Sequence, residues 1–377
     1  MKFNRLRWVG WLATTLLLGA CSSEDSPAPG GDFSLLAKQA EDYKQARPGR
    51  KLTFPEDHGA HPDYRIEWWY LTANLADSEG TAYGAQWTLF RLAVRPPNTE
   101  NLTDTAQDHQ VFMAHMAITT SEDHVAFQRY ARGEKADQMA RASVSASPFS
   151  ARLDDWVLQS DGDDWLPLRV HARQGDYAMD LYLQSHLPPV LQGDAGFSRK
   201  HADGGGSHYY SQPFLKASGE LTVNGQKVSV TGDAWLDREW GSQFLQSDQV
   251  GWDWFSIHLD NGEKLMLFRL RERVGGNGSG EFLDAALINV DGRRSPLDAE
   301  QVKIEVVGKT IVMGRNLPMK WHVRLPQMER DFMIEALHPN QWMNVDFPYW
   351  EGAVVVSGAG PENSGRGYME LTGYPLK

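Results

Sequence analysis

Asp237, Arg238 and Glu239 stand in a row within the run Asp233-Ala-Trp-Leu-Asp237-Arg-Glu-Trp240-Gly241, and Trp252-Asp253-Trp254 follows shortly after. Two acids bracket an arginine, with indoles on either side. An arginine can hold one carboxylate in a bidentate pair while a neighbouring acid, desolvated by tryptophan, has its pKa raised toward neutrality. Such an acid could give a proton to a bound substrate or take one from it. The same residues could equally form an ion-paired network locking two parts of the chain together. Asp237 and Glu239 are therefore candidate acid–base groups. Arg238 (leaning to the structural role), Trp240, Trp252, Asp253 and Trp254 are candidate ligand contacts.

His208-Tyr209-Tyr210 follows the glycine run Gly204-Gly205-Gly206. Glycines permit a mobile loop, and His208 and Tyr209 can carry a proton or hydrogen-bond a ligand. His115, in Phe112-Met-Ala-His-Met-Ala-Ile118, alternates on a strand; it is either a satisfied core histidine or a ligand contact. Glu56-Asp57-His58-Gly-Ala-His61-Pro-Asp63 has the donor types for zinc, but Pro62 and the lack of a matching cluster argue against a closed metal site. A serine elbow is absent, because Gly205-Gly-Ser207-His-Tyr209 fails at its last position. The run Gly275-Gly-Asn-Gly-Ser-Gly280 lacks the lysine of a phosphate-binding loop. Neither a metal nor a cofactor is implied.

The elements that must carry these residues are strands. Asn224-Gly225 between Leu221-Thr-Val and Gln-Lys-Val-Ser-Val-Thr231 is a strong hairpin signal, since Asn-Gly readily takes the positive φ of a tight primed turn. Asp260-Asn-Gly262 and Asp291-Gly292 repeat the scheme, and long amphipathic helices are scarce. The chain also repeats itself. Glu67-Trp-Trp-Tyr-Leu71 leads to Leu89-Phe-Arg-Leu92, as Trp252-Asp-Trp-Phe-Ser256 leads to Leu267-Phe-Arg-Leu270. Pro167 to Gln184 resembles Pro318 to Leu337. Tyr210, Ser218-Gly219 and a strand closing in Thr231-Gly232 resemble Tyr349, Ser357-Gly358 and a strand closing in Thr372-Gly373. Three anchors in one order predict two related antiparallel β-barrels, residues 47–232 and 233–377. A closed barrel of modest strand number has room inside for a small apolar ligand. Trp68 and Trp69 are candidate ligand contacts there. Trp69 and Trp254, read as equivalent, are also expected as core at the barrel base.

The N-terminus supplies a location. Lys2, Arg5 and Arg7 precede an apolar stretch, Trp8 to Leu18, too short to span a bilayer. Leu18-Gly-Ala-Cys21 then places the chain's single cysteine where a peptidase would cut. Residues 1–20 read as a lipoprotein signal peptide and Cys21 as the acylated N-terminus, giving a membrane anchor. Residues 21–46 read as a lipidated tether with a short helix around Leu35 to Tyr43. Cleavage removes three positive charges, taking the formal charge from −12 to −15. A chain so acidic offers no general basic field for nucleic acid.

Glu67-Trp-Trp-Tyr70, Trp87-Thr-Leu-Phe90, Asp237-Arg-Glu-Trp-Gly241 and Gly251-Trp-Asp-Trp254 together resemble the carotenoid 1,2-hydratase-like family, and within it the AttH-type exported lipoproteins often labelled secreted hydrolases. The resemblance spans residues 50–377. It implies an all-β fold of two tandem lipocalin-like (calycin) barrels, an apolar lipid or isoprenoid-like ligand, and an ABC-transporter permease as partner. It also implies a histidine two positions before Trp240. Arg238 stands there and holds its proton at ordinary pH, so that proton donor is missing. The following strand, Leu267-Phe-Arg269, shows no clear Tyr/Asp pair.

The leading expectation is a lipid-anchored, periplasm-facing protein of the bacterial envelope, sorted by Ser22 to the outer membrane, that binds an apolar ligand for an export system. A hydratase or hydrolase using Asp237, Glu239 and His208 is the alternative. A filled, non-catalytic interaction module is a third.

Overall fold

Twenty-three strands lie among the residues described by this computed structural model: 40, 42–96, 109–132, 141–201, 204–246, 248–273 and 281–377. Cys21, Ser22, the leader, the tether, most of the expected helix and Gly275–Gly280 lie outside the described residues. Among the described residues no helix is long and apolar enough to cross a membrane.

The first sheet holds β1 (Ile66–Ala76), β2 (Ala82–Ala93), β3 (Gln110–Thr119), β4 (His124–Arg132), β5 (Ala142–Ala146), β6 (Phe149–Leu153) and β7 (Trp156–Ser160). It continues with β8 (Leu168–Gln174), β9 (Tyr177–Gln184), β10 (Val190–Leu191), β11 (Phe197–Arg199), β12 (Gly206–Val223) and β13 (Gln226–Gly241). The second holds β14 (Gln249–Leu259), β15 (Lys264–Glu272), β16 (Phe282–Ile288), β17 (Arg294–Leu297) and β18 (Lys303–Val312). Its remaining strands are β19 (Arg315–Leu325), β20 (Arg330–Ala336), β21 (Trp342–Met343), β22 (Tyr349–Gly358) and β23 (Gly365–Leu371).

Both sheets are antiparallel, and their orders match strand for strand. The first runs β4-β3-β2-β1-β13-β12-β9-β8-β7 before adding β6 and β5; the second runs β17-β16-β15-β14-β23-β22-β20-β19-β18. The duplication expected from sequence is thus a repeated nine-strand topology, with β8–β9 and β19–β20 as the matching proline-led hairpins. Each sheet curls toward a barrel, but no ladder joins β4 to β5 or β17 to β18 among the described residues. The β12–β13 turn is the expected one, with Asn224 and Gly225 at φ 52° and 78°.

The register corrects two details. Glu67 lies opposite Arg91, and Asp253 opposite Arg269, so the counterpart of Trp254 is Trp68, not Trp69. The boundary expected at 232/233 falls inside β13, which pairs with β1 as far as Gly241 and with β12 as far as Trp240. Gly232 is not a terminator. A Cβ there would meet the Asn74 carbonyl oxygen at 2.0 Å, so the residue is small because two strands pass close together.

The barrel interiors are filled. Trp69, Leu71, Trp87, Leu89, Trp156 and Leu236 belong to one buried core, and Phe255, Ile257, Leu267, Trp321 and Trp350 to the other. Burying a side chain of this kind contributes roughly 1.5–3 kcal/mol, so each curled sheet is held by its own filling. A third apolar cluster, including Tyr70, Tyr209, Trp235, Trp254, Phe268 and Tyr368, lies between the sheets, and both sheets belong to one compact unit.

Candidate functional site

Successive residues of a strand face opposite sides, and that rule sorts the candidate residues. On β13, Ala234, Leu236 and Arg238 face the first core, whereas Trp235, Asp237 and Glu239 face the second sheet. On β1, Trp69 goes in and Trp68 and Tyr70 go out; on β14, Phe255 goes in and Trp252 and Trp254 go out. The outward residues of both sheets enclose a cavity of ≈ 360 Å³. The space for a ligand is therefore between the sheets, not inside a barrel as expected. Its walls are chiefly aromatic, with Trp68, Phe90, Phe244, Trp252, Trp254 and Phe268 among them.

Acids stand in these walls. Asp237 is buried on β13 and accepts hydrogen bonds from the Tyr209 hydroxyl at 2.6 Å, the Trp235 indole at 2.7 Å and the Ser211 hydroxyl. Burial nevertheless outweighs those donors and raises its pKa to about 7. Glu239 accepts from Ser207 and pairs with the Lys200 ammonium at 2.8 Å. Glu370 faces them from β23, accepting from the Trp252 indole at 2.7 Å; burial, then the charges of Asp237 and Glu239, raise it to about 8. Glu351 is next to Glu370 across the β22–β23 ladder and is also pushed well up by burial and by Glu370. The Tyr70 and Tyr349 hydroxyls lie near it, but neither of its oxygens makes a well-formed hydrogen bond. His115 lines the cavity, sharing a 2.9 Å hydrogen bond through Nδ1 with Tyr349; burial lowers its pKa to about 3, so the ring is neutral.

Five expected contacts do not reach this cavity, all because of strand phase. His208 lies on the other face of β12, among Tyr64, Phe197 and Trp240, so it cannot support Asp237. Trp69 fills the first core and donates its indole N–H to the His58 carbonyl. Arg238 is stacked 3.9 Å from the Trp69 ring centroid and ion-paired to Glu67. Trp240 stacks on His61 at 4.0 Å. Asp253 pairs with Arg269 at 2.7 Å and with Arg271 at 3.2 Å. The zinc-type donors Asp57 and His61 join the Glu67 network with Arg50, Arg91 and Arg238. Trp68, His115, Tyr209, Asp237, Glu239, Trp252 and Trp254 do line the cavity.

The AttH-like family model matches residues 45–374. The chain belongs to the AttH-like family. The crystal structure of an AttH protein from Nitrosomonas europaea is similar over 88% of this chain and 100% of its own, at 33% identity and a TM-score of 0.75. Kievitone hydratase from Nectria haematococca shares the fold at 15% identity over 89% of this chain and 97% of its own, TM-score 0.62. CghA, crystallised with Sch210972, shares it at 13% identity over 83% and 89%, TM-score 0.51. Among curated proteins none matches the sequence.

In this AttH-like chain the arginine at 238 takes nothing from the cavity, because position 238 faces the first core. The neighbouring Asp237, one residue out of phase with the position that the resemblance singled out, is the side chain that lines the cavity. Glu370, Lys200 and Tyr349 were not found from the sequence. Aligning Glu67 with Asp253, the ion-paired acids, would have exposed Glu370, which lies opposite Trp254 as Glu239 lies opposite Trp68. Matching Thr231-Gly232 to Thr372-Gly373 concealed it.

Proposed function

We propose that this AttH-like protein binds an apolar small molecule between its sheets and performs acid–base chemistry on it, hydration or hydrolysis, with Asp237 carrying the proton. The observation behind this is a carboxyl held by three donors in a wall of aromatic side chains. With a pKa of about 7, Asp237 has a proton to give near neutrality and a conjugate base able to recover it. It would protonate a double bond or a leaving oxygen. Glu239, paired with Lys200, is the acid on the same strand placed to take a proton from an attacking water. Tyr209 orients Asp237. The occurrence of a hydratase among proteins of this fold supports the reaction class.

A hydrophobic fluorophore should brighten on binding the full chain and be displaced by extracts of apolar envelope metabolites. Trp254→Ala should weaken it. With a metabolite so identified, Asp237→Asn should abolish turnover and keep affinity. Fluorophore binding insensitive to Trp254, or turnover surviving in Asp237→Asn, would sink the reading.

A further inference from the structure

The cavity walls carry more carboxyl groups than cations. Asp237, Glu239 and Glu370 line it, and Glu351 sits beside Glu370 in register. Lys200 is the positively charged lining residue, and its ammonium is committed to Glu239. Among the described residues no cation pairs with Asp237, Glu351 or Glu370.

Lys200 shows what such a wall accommodates. Its ammonium lies 4.0 Å from the Phe268 ring centroid and 5.3 Å from that of Tyr209, a cation seated on aromatic faces beside a carboxylate. The rest of the cavity repeats that composition, with the indoles of Trp68, Trp252 and Trp254 near Asp237 and Glu370. His115 points to a ligand independently. It is fully buried and lines the cavity, and its Nε2 has no hydrogen-bond partner although Nδ1 is bonded to Tyr349.

We infer that the cavity selects a hydrophobic cation, an aryl or alkyl ammonium, seated against Trp68, Trp252 and Trp254 with Glu370 as its counter-ion. This goes beyond the acid–base reading, which asks only for an apolar ligand. An ammonium of this kind keeps its charge while offering a greasy surface, so it satisfies the indoles and the acid together.

The charge state of Glu370 must then follow the ligand. Facing Asp237 and Glu370 are Tyr209 on β12, Tyr70 on β1, Glu239 on β13, and Tyr349 and Glu351 on β22; Lys200 and His115 complete the surroundings. Burial raises the three phenols far above neutrality and keeps His115 uncharged. The group that releases its proton to an arriving cation is therefore Glu370, while Asp237 keeps the proton that the acid–base step needs. Binding expels the Glu370 proton, and affinity rises with pH between about 6 and 9.

Benzyltrimethylammonium and neopentylbenzene share one shape, with nitrogen exchanged for carbon, and form the probe pair. Against a bound hydrophobic fluorophore on the full chain, the cation should compete at about tenfold lower concentration than its isostere near pH 8. That ratio should narrow toward about pH 6 and shrink in Glu370→Gln. Calorimetry of the unaltered chain in phosphate and Tris buffers should report proton release, a readout that needs no variant to fold. Equal or stronger competition by neopentylbenzene overturns the inference and leaves the acid–base reading intact. Cation binding without proton release also overturns it. Competition by neither probe overturns it and removes the apolar-ligand reading of the cavity as well.

Discussion

Burial raises the Asp237 carboxyl to about 7, against an ordinary aspartate near about 3.9. Between those values the folded chain holds a proton that the unfolded chain has lost. The contribution of this group to stability is therefore greatest below the unfolded value, declines as pH rises through the window, and levels off above the folded value. Asp237→Asn copies the protonated shape and cannot ionise. The variant and its parent should be similar in stability near pH 5, and the variant should be more stable by roughly 2–3 kcal/mol near pH 8. Thermal melts across that range check this, and parallel pH profiles for the two proteins would show that Asp237 is not the titrating group. Because Tyr209, Ser211 and Trp235 all donate to this side chain, the Asn must turn one hydroxyl round to accept its amide N–H. Part of the gain is lost there. The sequence made this residue legible as an acid beside indoles, but assigned its neighbour Arg238 and the adjacent-strand His208 to the same site. A side chain's type carries no information about which face of a long, doubly buried strand it occupies.

At the scale of strands, phase and register decide what the residues can do. Hairpins, strand content and duplication were readable, because Asn224-Gly225 and repeated aromatic runs are local signals. Phase was not, because β1, β13 and β14 are buried on both faces and lack the polar–apolar alternation that marks an outer side. Such strands also hide where a domain ends. Thr231-Gly232 looked like a strand terminus, yet Gly232 is a mid-strand position pressed against Asn74. A side chain there cannot be absorbed by a flexible neighbour, since the obstructing atoms belong to the β1 backbone. Gly232→Val should therefore destabilise the chain by at least ~2 kcal/mol in urea. Gly225→Ala, in the open β12–β13 turn where no atom lies within 4 Å of an added Cβ, should cost about 1 kcal/mol through its positive φ. Equal losses at the two positions would mean that 232 is not a close strand crossing, and would reopen the boundary between the repeats.

At the scale of the whole molecule, three apolar clusters rich in aromatic residues hold the sheets, one filling each and one between them. The two fillings make each repeat a stable body, but the third makes the repeats dependent on each other, since Tyr70, Trp235, Trp254 and Tyr368 would all meet water if the sheets parted. Their burial, at roughly 25 cal/mol per Å² of apolar surface, couples the unfolding of one sheet to that of the other. The intact chain should unfold in a single calorimetric transition whose measured and van't Hoff enthalpies agree. Gly84 tests the coupling without touching either filling or any acid. It lies on β2 where an added Cβ would come 2.5 Å from the Tyr368 hydroxyl and 3.2 Å from the Ala353 Cβ, both on the opposing sheet. Gly84→Val should wedge the sheets apart, split the transition in two and weaken fluorophore binding, because the cavity exists only while the two walls face each other. Strand content by circular dichroism should be unchanged. A single transition with undiminished binding in Gly84→Val would mean that the sheets do not depend on this contact, and that the cavity is held by each sheet's own rigidity.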